Sequence, residues 1–377
     1  MSPAPLSTPL TSLLGIQHPI MLAGMDQVAG PELAAAVCNA GGFGTLGGAR
    51  YTPNMLREMI AEMKSYLVDK NAPFGVDLLI PAVGGSARKT NYDYTKGNLG
   101  ELLDIVIESG AKLFVSAVGV PPAWAIKKLH EAGVLYMNMI GHPKHVHKAC
   151  QAGADLICAQ GGEAGGHTGD IPTRHVDSCS LESAESSPYA SVLIPASADI
   201  CKQYRSPLTK QAVTLVAAGG INDGRSVAAA LMLGASGVWV GTRFIPSVES
   251  KAPAIMKKQV IEAGYDSWIK SVIWSGRPLR ALRNPYIEDW ETNRQAEIKD
   301  LISRGIVPLV YELDRLHEEG KLTDEIEDAA ALRPIGIVAG SVNKAGQHAA
   351  EIVKEMVQET VVALDQAGTF VNVSAKL

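Results

Sequence analysis

Cysteine is sparse in this sequence. The five residues, Cys38, Cys150, Cys158, Cys179 and Cys201, form an odd, scattered set with no C-x-x-C spacing. A secreted disulfide framework and a zinc site are both poorly served by such a pattern. Basic charge is not in excess either: 34 Lys and Arg against 39 Asp and Glu leave a net charge of -5. That balance argues against a general nucleic-acid binder. No apolar run reaches the roughly 18 to 20 residues of a membrane span, and the first 14 residues lack the basic and long apolar regions of a signal peptide. The expectation is an intracellular, cytoplasmic protein without membrane or nucleic-acid partners.

What the chain does have is length and glycine. Its 377 residues suffice for one barrel-sized domain with an appendage and a full hydrophobic core. The 37 glycines cluster between short apolar runs. Eight runs read as strands, at 18–25, 43–47, 74–80, 113–119, 135–140, 155–160, 213–219 and 238–244. Segments of helical period separate them, at 32–40, 55–67, 99–109, 123–132, 144–152 and 226–233. Several end on a glycine suited to a left-handed cap. The strands are apolar throughout rather than alternating, as when both faces are buried. Eight alternating units in about 245 residues predict an α/β fold, a closed (β/α)8 TIM barrel, over a doubly wound sheet. The barrel is expected over 13–264. Residues 265–377 show amphipathic stretches and no convincing strand series, hence a helical appendage anchored by Trp268, Trp274 and Trp290. Residues 82–98 could fold over the barrel mouth, and the Ser-rich 174–190 reads as a disordered insert.

In such barrels chemistry sits on loops after the strands, with phosphate held after the seventh and eighth. Those places read AGGINDG at 218–224 and GTRF at 241–244. Their glycines open the backbone to an anion, and a helix beginning near Gly224 adds its dipole. The G-x-G-x-x-G match at 42–47 follows a helix and is itself a strand, so it is not a dinucleotide loop. After strand six, AQGGEAGGHTG presents one imidazole, His167, in a glycine-dense loop suited to general-base work. Glu163 there is a weaker candidate for orienting the loop. His142, His145 and His147 lack the ligand geometry of a metal centre, and no metal is expected. The small residues ending the first strand, around Ala23 and Gly24, leave room for a flat ring, although core packing alone explains Met21 and Met25. Arg277, Arg280 and Arg283 share one loop, and the sequence leaves open whether they meet an anionic ligand or bridge barrel and appendage.

Taken together, HPIMLAGM, NAGGFGTLGG, AQGGEAGGH, AAGGINDGR and GVWVGTRF resemble the nitronate monooxygenase family, the former 2-nitropropane dioxygenases, from about residue 13 to 285. The resemblance implies an FMN-dependent barrel with a helical substrate-side domain, a flavoprotein oxidoreductase turning alkyl nitronates and O2 into carbonyl compounds and nitrite. It implies His167 as the catalytic base or positioning residue. FMN would lie against Ala23, Gly24 and Met25, touch Gln160 and Gly161, pass Gly165 and Gly166, and place its phosphate at Gly219, Gly220, Gly241 and Thr242. Asp77, standing where the family often has asparagine, would also contact the cofactor, and Asn138 and Met139 stand where some reductase relatives place a lysine. Insert 174–190 interrupts the usual passage into the next helix. The partners implied are an alkyl nitronate and O2, with a homodimer as a compatible assembly. The alternatives are an NAD(P)H:quinone oxidoreductase on the same barrel and a non-catalytic flavin- or phosphate-binding barrel. The end, Ala375-Lys376-Leu377, resembles a peroxisomal address.

Overall fold

The computed structural model describes residues 6–81, 87–168 and 189–371. Most of the Ser-rich insert at 174–190, part of 82–98 and the terminal tripeptide lie outside them. Eight parallel strands form one sheet: β1 (Ile20–Leu22), β2 (Gly44–Gly48), β3 (Phe74–Leu79), β4 (Leu113–Val118), β5 (Leu135–Ile140), β6 (Leu156–Gln160), β8 (Thr214–Ala218) and β9 (Gly237–Val240). A two-residue strand, β7 (Gly166–His167), lies outside this sheet. The order is β1-β9-β8-β6-β5-β4-β3-β2, and a parallel bridge between Met21 and Phe43 joins its two edges. Phe43 donates to Ile20 and accepts from Leu22, both at 2.9 Å. The sheet is therefore closed into the expected barrel.

Two apolar layers account for strands that are hydrophobic on both faces. Met21, Phe43, Val115, Met137, Cys158, Val216 and Trp239 fill the lumen, and Leu10 and Leu14 of α1 (Pro9–Leu14) join them. The alternate residues, Leu22, Val76, Phe114, Ile157, Leu215 and Val238, pack outward with the helices. Each fully buried side chain of this kind is worth about 1.5–3 kcal/mol relative to exposure. In β5, Asn138 follows the outward set and accepts from Tyr136, whereas Met139 packs with the lumen.

The ring of helices comprises α2 (Pro31–Asn39), α3 (Pro53–Tyr66), α4 (Leu99–Glu108), α5 (Ala123–Glu131), α6 (Pro143–Ala152), α7 (Ala190–Cys201) and α8 (Gly224–Met232). After β9 come α9 (Ala254–Glu262), α10 (Pro285–Asn293), α11 (Gln295–Ser303), α12 (Pro308–Glu318) and α13 (Asp324–Ala330). The last helix, α14 (Ala349–Gly368), packs against α8 and α2 and so completes the ring. The appendage is thus inserted between the last barrel strand and its helix. We propose that the division at 264/265 be drawn with α14 returned to the barrel.

The appendage also holds the strands that its sequence did not suggest. β10 (Trp268–Ser271) and β11 (Leu279–Leu282) are antiparallel, and β11 continues onto β7. Each is only four residues long, too short for a period to stand out. The three tryptophans divide their duties. Trp290 is fully buried among Ile273, Ile287, Ile298 and Leu301, and Trp274 donates to Ala330 at 3.0 Å. Trp268 instead stacks under Arg280, beside the barrel mouth. No helix among the described residues is long and apolar enough to cross a membrane.

Candidate active site

The residues singled out from the sequence gather at the carboxyl ends of the barrel strands. Ala23, Gly24 and Met25 follow β1, where Ala23 donates to Val240 at 2.8 Å. Gly241, after β9, faces Ala23 and Met25. Gly161, after β6, donates to Ala218 at 2.8 Å and lies beside Gly219. Gly219 and Gly220 take φ of +89° and +72°, a left-handed turn that glycine accepts without steric cost. Thr242 opens the 3₁₀ turn Thr242–Phe244, and its hydroxyl accepts from Gly336 at 3.0 Å, which leaves its own proton to donate.

Asp77 lies within β3, on the lumen side of the mouth, and is buried. A Cβ on Gly24 would lie 2.2 Å from its Oδ2, so only glycine fits there. Among the described residues its Oδ1 has no hydrogen-bond partner. Burial raises the carboxyl to about 8, against the smaller opposing pull of the Ala117 N–H. At neutral pH it is therefore a protonated acid. Such a group can donate a hydrogen bond, as the amide of the family's asparagine would.

His167 is placed by an element the sequence did not reveal. Its strand, β7, exists because β11 pairs with it, His167 opposite Leu279 and Gly166 opposite Arg280. Thr168 donates to Pro278 at 3.0 Å. The imidazole Nε2 lies 3.0 Å from Ser275 Oγ. Burial first, and the charge of Arg277 second, lower the imidazole to about 4. It is neutral throughout the physiological range, and so able to accept a proton.

The loop that carries this strand is clasped from the appendage. Arg280, buried and stacked 4.3 Å over the Trp268 ring, donates to the carbonyls of Gly162 and Ala164, the latter at 2.6 Å. Gln160 donates to Gly165 at 3.3 Å. Gly165, expected to flank a flavin, has its Cα packed against Ile335 and Gly336. Ile337 donates to Glu163 at 3.0 Å. Of the three arginines in the loop after the barrel, Arg280 is thus a bridge. The sequence left Arg280 open between ligand and bridge; Ser275 and Gly336 were not foreseen, and a regular spacing that would betray them is absent.

Two helix ends lie near the glycines. That of α8 is already satisfied: Gly224 donates to Glu359 at 2.9 Å and the Asp223 carboxylate caps Ser226. The expected dipole near Gly224 therefore meets carboxylates of the chain. The Glu163 carboxylate instead accepts from Ala190, the first residue of α7, at 3.1 Å, and lies against Gly161 and Gly220. The cradle between those glycines thus holds a negative group. No cluster of three or more potential metal ligands exists among the described residues. His142 caps α6, accepting from Lys144, and His147 pairs with the Tyr204 hydroxyl.

The chain matches the family model for nitronate monooxygenase over residues 7–361. A relative from Mycobacterium tuberculosis, (3aS,4S,5R,7aS)-5-hydroxy-7a-methyl-1-oxo-octahydro-1H-indene-4-carboxyl-CoA dehydrogenase, is 34% identical over 77% of this chain and 70% of its own. A probable nitronate monooxygenase from Staphylococcus saprophyticus is 32% identical over 75% of this chain and 80% of its own. Among solved structures, FabK from Thermotoga maritima superposes with a TM-score of 0.73 at 26% identity, covering 97% of this chain and all of that one. The barrel, its glycine-lined mouth and the family match agree: the chain belongs to the nitronate monooxygenase family, and it is an enzyme, a flavin-dependent oxidoreductase.

Proposed function

We propose that the chain is an FMN-dependent nitronate monooxygenase that converts alkyl nitronates and O2 into carbonyl compounds and nitrite. The observation that carries this reading is a neutral imidazole, His167, fixed at a glycine-lined barrel mouth. The mouth fits the cofactor by its donors and its bareness. The left-handed Gly219, with Gly241 and the Thr242 hydroxyl, suits a phosphate, and Gly220 joins them once the Glu163 carboxylate beside it moves aside. Ala23 and Gly24 present little side chain to a flat ring, and the unpartnered Oδ1 of Asp77 suits a ring-edge hydrogen bond. Bound there, FMN supplies the redox chemistry. The protein's own share is positional. Ser275 holds the ring of His167, which accepts the α-proton of a nitroalkane or positions the nitronate already formed. The Arg280 clasp holds the loop in place while it does so.

The test is oxygen uptake by the purified, flavin-loaded protein with propionate 3-nitronate and no NAD(P)H. Turnover supports the reading. Fast NADH–quinone turnover with negligible nitronate activity moves the protein to the quinone reductases. A second reading is favoured by the relative named as a CoA-thioester dehydrogenase, 34% identical: oxidation of a hydroxyacyl-CoA. Anaerobic bleaching of the flavin absorbance by such a thioester, and not by the nitronate, selects it.

A further inference from the structure

Arg277 stands two residues beyond Ser275, on the turn that holds His167. Its Nε donates to Asn91 at 3.1 Å. Arg88 reaches the same turn, donating to the Gly276 carbonyl at 3.3 Å, and Gly276 itself packs against Thr90. The turn and segment 88–91 are thus fitted to each other, and the fit brings the charges of Arg277 and Arg88 within electrostatic reach of one another. Their charges repel, and both burial and Arg88 make the charge on Arg277 harder to hold. From segment 88–95 Tyr94 also faces Arg277, its phenol pushed up by burial and so neutral. From β7 the facing group is His167, likewise neutral.

Among the described residues no carboxylate pairs with Arg277 or Arg88. Elsewhere the chain partners its partly buried arginines: Arg294 with Glu297 and Glu312, Arg243 with Glu355. Arg277 is half-buried and Arg88 exposed, so the cost of the unpaired charge falls on Arg277. A partly desolvated cation without a counterion gains from an anion that joins it, and guanidinium groups suit planar oxyanions in two-point contact.

We propose that Arg277, assisted by Arg88, is the anion-binding residue of this site. It takes the negative O–N–O head of the substrate and leaves His167 to address the carbon. The identity of that head rests on the nitronate reading, whereas the anion clamp does not. The selectivity that follows is for anionic nitronates over neutral nitroalkanes.

The experiment uses the flavin-loaded protein and inorganic nitrate, a planar, unreactive oxyanion of the same O–N–O shape, titrated by calorimetry. Inorganic phosphate serves as the comparison for a phosphate-bearing ligand. Wild type is expected to bind nitrate, R277Q at least about tenfold more weakly, with R277K in between. R88Q, at an exposed position, is expected to weaken binding about threefold. R277Q should raise KM for the nitronate about tenfold with kcat nearly unchanged, and should move the His167 imidazole upward by NMR titration because a neighbouring cation is gone. Unchanged nitrate affinity in both R277Q and R88Q overturns the clamp, as does loss of kcat at constant KM. Tighter binding of phosphate than nitrate, still dependent on Arg277, keeps the clamp and assigns it to a phosphate-bearing ligand. Arg277-dependent nitrate binding in a protein without nitronate turnover keeps the clamp and refutes the nitronate reading. Nitronate turnover indifferent to R277Q does the reverse.

Discussion

Replacing Asp77 by asparagine should stabilise the protein, and by an amount set by pH. Burial raises this carboxyl from 3.8 to about 8. Below pH 4 the folded and unfolded chains both hold the proton. Between the two values only the folded chain does, so unfolding releases a proton and stability falls as pH rises, by about 1.4 kcal/mol per pH unit. From pH 5 to pH 7 the loss is about 2.7 kcal/mol, and it levels off above pH 8. Asparagine has the same shape and no proton to lose. Asp77→Asn is therefore expected to unfold at higher urea than the parent at pH 7, by about 4 kcal/mol, with the difference vanishing near pH 4. Urea midpoints of both proteins across that range, with and without FMN, make the test. Parallel curves, or a variant less stable at pH 8, would refute the assignment of a buried neutral acid. Because each protein is compared with the other at the same pH, titration of the remaining carboxylates cancels.

The other expectations follow from the same geometry. His167 is neutral down to about 4, so kcat with a nitronate should stay flat from pH 8 down to pH 5, and a limb near 6.5 would place the imidazole in water instead. Ser275→Ala should lower kcat about tenfold, the worth of one orienting hydrogen bond, while FMN affinity by fluorescence quenching stays as it was. Arg280→Met strips the donor from two buried carbonyls and should cost about 2–5 kcal/mol, read from urea midpoints; a change under about 0.5 kcal/mol would make the clasp ornamental. Gly24→Ala drives a methyl into Asp77 and should abolish FMN retention on gel filtration while Gly264→Ala, in open surroundings, does not.

The barrel was legible because its signal is local and repeated. Runs such as 74–80 and 113–119 are apolar on both faces since lumen and helices each bury one, and the glycine turns punctuate them. That the candidate residues come together was legible to the same extent: Gly219, Gly220, Gly241 and the loop of His167 each follow a strand in sequence, and strand ends converge in a barrel. What escaped notice depends on distant pairing. β7 is two residues long and exists through β11, more than a hundred residues away. Arg280 looked like one of three equivalent arginines, and only the carbonyls of Gly162 and Ala164 distinguish it. Gly336 meets Thr242 and Gly165 across the insertion, with no periodicity to announce it. The dipole expected near Gly224 failed for a similar reason, since Glu359 arrives from the far end of the chain.

That same far end has a consequence for synthesis. Ile352, Val353, Met356 and Val357 of α14 are buried in the core shared by α8 and α2, but roughly a hundred residues separate β9 from α14. At about 5–20 residues per second, a nascent chain with all eight barrel strands made waits on the order of 5–20 s for that helix. Throughout the wait an apolar seam between α8 and α2 stays wet and open to other chains. A holding chaperone would find its purchase on that seam, and a polypeptide stalled or cleaved before Ala349 would aggregate through it although every strand of the barrel is already present.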